Sequence, residues 1–281
     1  MKITAAVTPS AAAPFTVCSL DLEGPRDGEI LVRVVASGMC HTDLVVRDQH
    51  YPFPLPGVLG HEGSGVVQAV GAGVKKVAPG DHVVMSYGAC GCCQQCLQGE
   101  PAYCRDFVES NLGAVRLDGS VLYADEGCPV HGNFFQQSSF GTHAICREQN
   151  IVKVPRDVPL EILGPLGCGV QTGAGAVMNS FKPGVGSSLV VFGAGSVGLS
   201  SIMAARVVGC GKIVAVDVKQ GRLDMARQLG ATDTLDPTGT DDAVGWLLER
   251  TNGGADFSLE ATGLPGVLRS CREGGGNMKV A

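Results

Sequence analysis

Cys90, Cys93, Cys96 and Cys104 stand in GACGCCQQCLQGEPAYC, residues 88–104, with the spacing C-x2-C-x2-C-x7-C. Thiols gathered this closely have three uses: a disulfide knot, a redox centre or a metal shell. Four thiolates can surround one tetrahedral Zn²⁺ with Zn–S near about 2.3 Å. Such a shell leaves no open position for a substrate, so it holds a loop rather than doing chemistry. Ferredoxin-type clusters use other spacings, and reduced thiols on a loop are the plain alternative. Cys92 breaks the x2 spacing and is left over.

A second set is dispersed. GMCHTD places Cys40 before His41, Thr42 and Asp43; GHEGSG supplies His61 and Glu62; LGCGVQTG supplies Cys168. Two thiols, an imidazole and carboxylates are metal-ligand and acid–base types, but sequence spacing alone does not join segments so far apart. A third set is Gly193-Ala-Gly195-Ser-Val-Gly198, a G-x-G-x-x-G turn, with Asp217 placed 19 residues after Gly198. In a strand–turn–helix setting this is the dinucleotide fingerprint. The first glycine makes the tight turn, the second lets backbone approach a pyrophosphate, and the third lets helix and strand pack closely. Free N–H groups at the helix N-terminus meet the phosphate charge. Asp217 is expected to accept hydrogen bonds from the adenosine ribose and to repel a 2′-phosphate, which favours NAD over NADP.

The elements around these residues fall into two textures. Up to about residue 150, short strand-like runs such as EILVRVVAS (29–37), GSGVVQAVG (63–71) and DHVVMS (81–86) are separated by Gly and Pro, the pattern of an antiparallel β domain with long loops. After VPRDVPLEILGPLGC (154–168) strands and helices alternate. SLVVF (188–192) leads through the Gly turn into a helix reaching about Val208, KIVAVD (212–217) is the next strand, and KQGRLDMARQLG (219–230) reads as a helix stopped by Gly230. TDDAVGWLLERT (240–251) is a further helix and ADFSLEAT (255–262) a further strand, so this half is a parallel α/β unit.

Bulk properties exclude several classes. The 281 residues carry a net charge of −6 with 44% hydrophobic content, enough for a large core and without a basic stripe for nucleic acid or an anionic membrane. The N-terminus lacks a sustained apolar core of signal-peptide type. The apolar window 188–209 is broken by Gly and Ser. A cytoplasmic protein is expected, where twelve cysteines point to metal ligands or free thiols rather than disulfides.

Taken together, G-H-E-x-x-G at 60–65, the four-cysteine loop and the dinucleotide turn, in that order, resemble the zinc-containing medium-chain alcohol dehydrogenase family over nearly all of the chain to about residue 268. The wording ILGPLGCGVQTGAG (162–175) is most similar to the aryl-alcohol (benzyl alcohol) dehydrogenase branch. The resemblance implies a GroES-like β catalytic domain over residues 1–154, then a Rossmann doubly wound parallel sheet over 155–281, with the active site in the cleft between them. It implies a catalytic Zn²⁺ on Cys40, His61 and Cys168 with a water as fourth ligand, the Cys₂His arrangement known from alcohol dehydrogenases. A second, structural Zn²⁺ would sit on Cys90, Cys93, Cys96 and Cys104. Glu62 would lie beside the catalytic metal and exchange with water. Asp43 would orient His61 through its other ring nitrogen, and Thr42 would take the alcohol proton. Thr172 would touch the nicotinamide end of NAD, Arg222 the adenosine ribose and His41 the pyrophosphate. The implied reaction is the NAD-linked interconversion of a primary, aromatic or allylic alcohol and its aldehyde, by a homo-oligomer whose other partner is the small-molecule substrate.

Two departures qualify the resemblance. Many members pass the proton onward through a histidine five residues after the first zinc ligand, where this chain has Val45. A fold of this type also uses about six parallel strands. Four are legible here, at 188–192, 212–217, 232–235 and 255–262, and the terminal MKVA at best begins a fifth. The expectation is an incomplete Rossmann domain that lacks the other half of the nicotinamide site, the dimer-forming strand and a return into the catalytic domain. That opens a second reading, a non-catalytic zinc-binding fragment, beside a third, a glutathione-dependent formaldehyde dehydrogenase-like enzyme, for which no clear cationic set is seen. His50, His82, His131 and His143 read as surface or packing residues, and Phe134, Phe135 and Phe140 as either the wall of an apolar pocket or core.

Overall fold

The computed structural model describes residues 1–116, 118–273 and 275–280, and side-chain surroundings for 1–116 and 118–269. The chain divides into two compact units, Met1–Cys168 and Gly169–Ala281.

The first unit is antiparallel β. Its strands are β1 (Lys2–Thr8), β2 (Thr16–Leu22), β3 (Glu29–Ser37), β4 (Gly57–Val58), β5 (Gly63–Val70), β6 (His82–Met85), β7 (Tyr123–Asp125), β8 (Cys128–Val130), β9 (His143–Arg147) and β10 (Ile151–Val154). They form two five-stranded sheets, β4-β1-β2-β7-β8 and β10-β6-β5-β3-β9. Alternation drives the first: Ile3, Ala5 and Val7 of β1 point inward onto Leu20, Leu22 and Tyr123, while Lys2 and Thr4 are turned out and Ala6 is half-buried. The second buries Ile30, Val32, Val67, Val83, Met85 and Ile151, each contributing on the order of 1.5–3 kcal/mol. Three short helices interrupt the strands: α1 (His41–Arg47), α2 (Gln94–Leu97) and α3 (Phe107–Leu112).

Sequence texture places the domain boundary after Val154, whereas residues 155–168 pack with the first unit. Leu160 and Leu163 cluster with Val84. Ser64 Oγ donates to the Leu160 carbonyl at 2.6 Å, and Ser86 Oγ to that of Gly167 at 2.9 Å. This packing brings Cys168 to the residues described below.

The second unit is a parallel sheet with helices: α4 (Gly169–Gly175), β11 (Ser188–Phe192), α5 (Ser196–Val207), β12 (Lys212–Val216), α6 (Gln220–Leu229), β13 (Asp233–Leu235), α7 (Ala243–Arg250), β14 (Ala255–Glu260), α8 (Pro265–Glu273) and β15 (Gly275–Val280). The strand order is β13-β12-β11-β14-β15. β11 and β12 are buried at nearly every position, because one cluster covers Leu189, Val191, Ile213 and Ala215 and another covers Val190, Phe192, Val214 and Val216. Continuous apolar strands of this kind belong to sheets covered on both faces. The sheet holds one strand more than the four legible in the sequence. β15 pairs in parallel with β14, Ala255 opposite Gly275 and Ser258 opposite Val280. Its GGN start hides it from a propensity reading, since glycines weaken a strand and mark irregular pairing, and the register shifts there. The apolar window 188–209 resolves into β11, the Gly turn and α5. Among the described residues no helix is long and apolar enough to cross a membrane.

Candidate metal centres and the dinucleotide turn

Cys40 is the N-cap of α1, and the turn that follows carries Thr42 and Asp43. The carboxylate of Asp43, buried at 1% exposure, ties three parts of the site together. Its Oδ2 accepts from the Cys40 backbone N–H at 3.0 Å, while its Oδ1 accepts from the Gly60 N–H and from His61 Nδ1, each at 3.0 Å. One side chain thus fixes the backbone of Cys40 and the ring of His61. His61 and Glu62 lie just before β5, both buried. The Cys40 and Cys168 sulfurs are 4.0 Å apart, and Thr42 Oγ1 lies 3.6 Å from Cys40 Sγ.

Ligand atoms of Cys40, His61, Glu62 and Cys168 all fall within 4.8 Å of one another. Nδ1 of His61 is engaged by Asp43, so Nε2 is the nitrogen left for a ligand, and it is buried without any hydrogen-bond partner. An orphaned imidazole nitrogen beside two thiols costs free energy unless a metal or proton acceptor meets it. The donor set fits zinc, which takes thiolate sulfur, imidazole nitrogen and carboxylate oxygen. Electrostatics agree. The Cys168 thiol donates to Cys40 and stabilises its thiolate, lowering Cys40 against the cost of burial; Cys168 is raised in turn by the Cys40 thiolate. Burial pulls His61 down, yet the Asp43 and Cys40 charges outweigh it and hold the ring up at about 9. The pocket thus concentrates negative charge for a cation.

The four-cysteine loop is a separate lobe built on α2. Cys90, Cys93, Cys96 and Cys104 bring their sulfurs within 4.8 Å of one another, whereas Cys92 is exposed and outside the group. Backbone N–H groups of Cys90 and Cys93 point at the sulfurs of Cys104 and Cys90, each at 3.3 Å. Amide donors of this kind favour thiolate: those of Cys96 and Arg105 lower Cys93 to about 6. All four are free thiols, so the knot reading falls away for them. The shell fits a tetrahedral Cys₄ zinc.

The glycine turn joins β11 to α5. A Cβ on Gly198 would stand 1.8 Å from the Gly193 carbonyl oxygen, so only glycine lets the helix pack there. A Cβ on Gly195, the N-cap of α5, would meet nothing within 4 Å and would project into open space before the helix N-terminus. Open space before a helix N-terminus, reached by free backbone N–H groups, suits an anionic group such as a phosphate. Asp217 follows β12. Its carboxylate accepts from the Ala194 N–H at 2.8 Å and the Lys219 N–H at 2.8 Å, and Arg222 Nη1 lies 3.4 Å away. Thr172 is exposed on α4, and His41 is exposed at the start of α1.

With this geometry in place, the comparisons with known proteins are specific. Residues 26–156 match the model of the alcohol dehydrogenase GroES-like domain, and residues 196–277 that of the zinc-binding dehydrogenase domain. A geraniol dehydrogenase from Castellaniella defragrans is 49% identical over 95% of this chain and 71% of its own. The chain belongs to the zinc-containing alcohol dehydrogenase family. Among solved structures of this family, a benzyl alcohol dehydrogenase from Acinetobacter calcoaceticus superposes with a TM-score of 0.94 at 49% identity, covering 100% of this chain and 77% of that one. An alcohol dehydrogenase zinc-binding domain protein from Burkholderia ambifaria gives 0.96 at 52% identity, covering 100% and 76%. A GroES-like domain followed by a Rossmann sheet is the family's fold, and both halves are present here.

Several residues of the site escape a reading of motifs. Gln137 donates from Nε2 to the carbonyls of His61 at 2.9 Å and Ser86 at 3.0 Å, and its Oε1 accepts from the Gly63 N–H at 3.0 Å. It clamps the segment that carries His61 and Glu62 into β5. Asn111 grips Gly88, at the entry to the cysteine loop, through both its amide ends. The only signal for Gln137 was a polar pair inside the aromatic run NFFQQSSF. Of the phenylalanines there, Phe134 is core, with Phe53 and Leu59, while Phe135 stacks on the His61 ring. Phe140 is partly buried between two core clusters. His50 is exposed, and His82, His131 and His143 are half-buried.

Proposed function

We propose that this chain is an NAD-linked alcohol dehydrogenase that interconverts primary aromatic or allylic alcohols and their aldehydes. The observation that carries the reading is the buried, unpartnered Nε2 of His61 in a cluster with the Cys40 and Cys168 sulfurs. Cys40, His61 and Cys168 hold the catalytic zinc, with Glu62 beside it, and Cys90, Cys93, Cys96 and Cys104 hold a structural one. Zinc in the first site would supply a Lewis acid that lowers the alcohol pKa, and NAD a ring that accepts the hydride. The protein's own groups do the rest. Asp43 holds His61 in the tautomer that offers Nε2. The Thr42 hydroxyl takes the proton that the alcohol sheds and gives its own to solvent water, since Val45 supplies no relay. Asp217 accepts the adenosine ribose hydroxyls, with Arg222 beside it, and its charge opposes a 2′-phosphate. Gly193, Gly195 and Gly198 shape the pyrophosphate turn, His41 contacts the pyrophosphate and Thr172 the nicotinamide end. The relatives named for geraniol and benzyl alcohol, one allylic and one aromatic, support the substrate class.

The test is turnover of benzyl alcohol and geraniol by the purified chain with NAD and with NADP. Expected are oxidation with NAD, loss of at least about a thousandfold in Cys40→Ala, and a narrowed NAD preference in Asp217→Ala. Absence of turnover of either alcohol by zinc-loaded protein would overturn the reading, and an NADP preference in the unmodified chain would overturn its cofactor half.

A further inference from the structure

The ring of His61 is held by more than its hydrogen bond. Asp43 fixes Nδ1 but leaves the imidazole free to rock about the Nδ1···Oδ1 line, and any such motion displaces Nε2. Two aromatic rings close off that freedom. Phe135 stacks on the imidazole face with centroids 4.7 Å apart and planes 26° apart, and Phe134 meets it edge-on at 5.4 Å and 88°.

The backbone that delivers Phe135 is strained. Asn133, Phe135, Gln136 and Ser138 all adopt positive φ, at 60°, 50°, 52° and 46°. Non-glycine residues are disfavoured in this region and persist only where their surroundings over-determine them. Here they do. Ser138 Oγ donates to the Val58 carbonyl at 2.7 Å and accepts from the Phe134 N–H at 3.0 Å. Asn133 Nδ2 donates to Val115 O at 2.7 Å, and Asn150 Nδ2 to Gln136 O at 2.9 Å. Gln137, between them, clamps the segment carrying His61. The braced left-handed turn thus lays a ring that also packs against the Phe53, Leu59 and Phe134 core onto a buried imidazole.

We infer that Phe135 is a positioning residue for the metal site: its ring sets the orientation of His61 Nε2, and the strained turn 133–138 exists to hold that ring. The inference rests on His61 being a metal ligand, as proposed above. On its far side Phe135 meets Phe107 of α3 at 6.4 Å, which in turn meets Tyr87 at 5.7 Å.

The experiment is titration of the zinc-free protein with Co²⁺, followed by the visible bands of thiolate-bound cobalt. The component that vanishes in Cys40→Ser reports the Cys40 site. Phe135→Gly keeps the positive φ without strain and removes only the ring; Phe135→Tyr keeps the ring. The expected result is a shifted Cys40-dependent band and about tenfold weaker cobalt binding in Phe135→Gly, the wild-type band in Phe135→Tyr, and an unchanged Cys₄ component in both. An unaltered Cys40-dependent band and affinity in Phe135→Gly would overturn the positioning role. A wild-type chain with no Cys40-dependent band would instead overturn the metal-site reading beneath it. If Phe135→Gly folds poorly, Phe135→Leu, judged by the same band, decides the matter.

Discussion

At the scale of single residues, Asp43 carries more of the site than its size suggests. It is an N-terminal helix carboxylate, a backbone brace for Cys40 and Gly60, and the partner of His61 Nδ1. Partners of this kind tune the ligand they hold, and losing one commonly costs about 10–100-fold in metal affinity. Asp43→Ala is therefore expected to weaken zinc at the Cys40 site by that order while the Cys₄ site keeps its metal, as competition with a chromogenic chelator would measure. The elevated His61 pKa has a consequence with a definite sign. Held at about 9, the metal-free imidazole carries a proton at neutral pH, and metal binding must expel it. Zinc uptake at pH 7 should release protons, and affinity should rise with pH up to that value and fall below it. Calorimetry in buffers of different ionisation enthalpy counts those protons; a proton count unchanged in His61→Ala would contradict this assignment. Residues such as Cys40 and His61 stand out in the sequence by type, but their partners Gln137 and Phe135 do not. A clamp made of backbone hydrogen bonds, or a stacked ring, leaves no spacing to read.

At the scale of elements, the glycine turn separates fold from ligand. Gly198 and Gly195 lie three residues apart, and their missing side chains serve different ends. A methyl on Gly198 would collide with the Gly193 carbonyl, so Gly198→Ala should force α5 away from β11 at a cost of about 1–3 kcal/mol, lowering the unfolding midpoint by several degrees. A side chain on Gly195 has space, so Gly195→Val should leave that midpoint unmoved and abolish NAD binding, as calorimetric titration against the unmodified chain would reveal. A Gly195→Val protein that bound NAD normally would contradict the pyrophosphate role. The turn was legible because all its parts lie within one strand–turn–helix, where local spacing dictates geometry. Of β15 only the MKVA end was legible, as at best the beginning of a strand, since its pairing with β14 lies in tertiary context that a glycine-rich run does not announce.

At the scale of the molecule, two side-chain clusters with the donors to hold a metal lie in the first unit and the glycine turn in the second. Elemental analysis of the intact chain should therefore find about two zinc ions, falling to about one in Cys40→Ala and to about one in Cys93→Ala. The two losses should differ in kind. A closed four-thiolate shell organises its loop, so Cys93→Ala should expose residues 88–104 to proteolysis, whereas Cys40→Ala should leave that loop protected. A net charge of −6 without a basic stripe agrees with a small-molecule substrate.

What the amino-acid order determined by itself was everything whose partners lie close along the chain: the four cysteines within fifteen positions of one another, the G-x-G-x-x-G turn with its acidic residue, and the change from alternating strands to alternating strands and helices. Short contour length brings such groups together almost regardless of the rest. No local spacing joins Cys40 to Cys168, 128 residues apart; the family resemblance implied the pair, and the tertiary structure shows how it meets. Their meeting depends on β3, β5 and β6 pairing in one sheet and on residues 155–168 docking beside it, long-range contacts that no local pattern encodes. The same is true of the face of His61. Its ligand role could be carried over from a motif, but the ring that holds it steady comes from a strained turn more than seventy positions away.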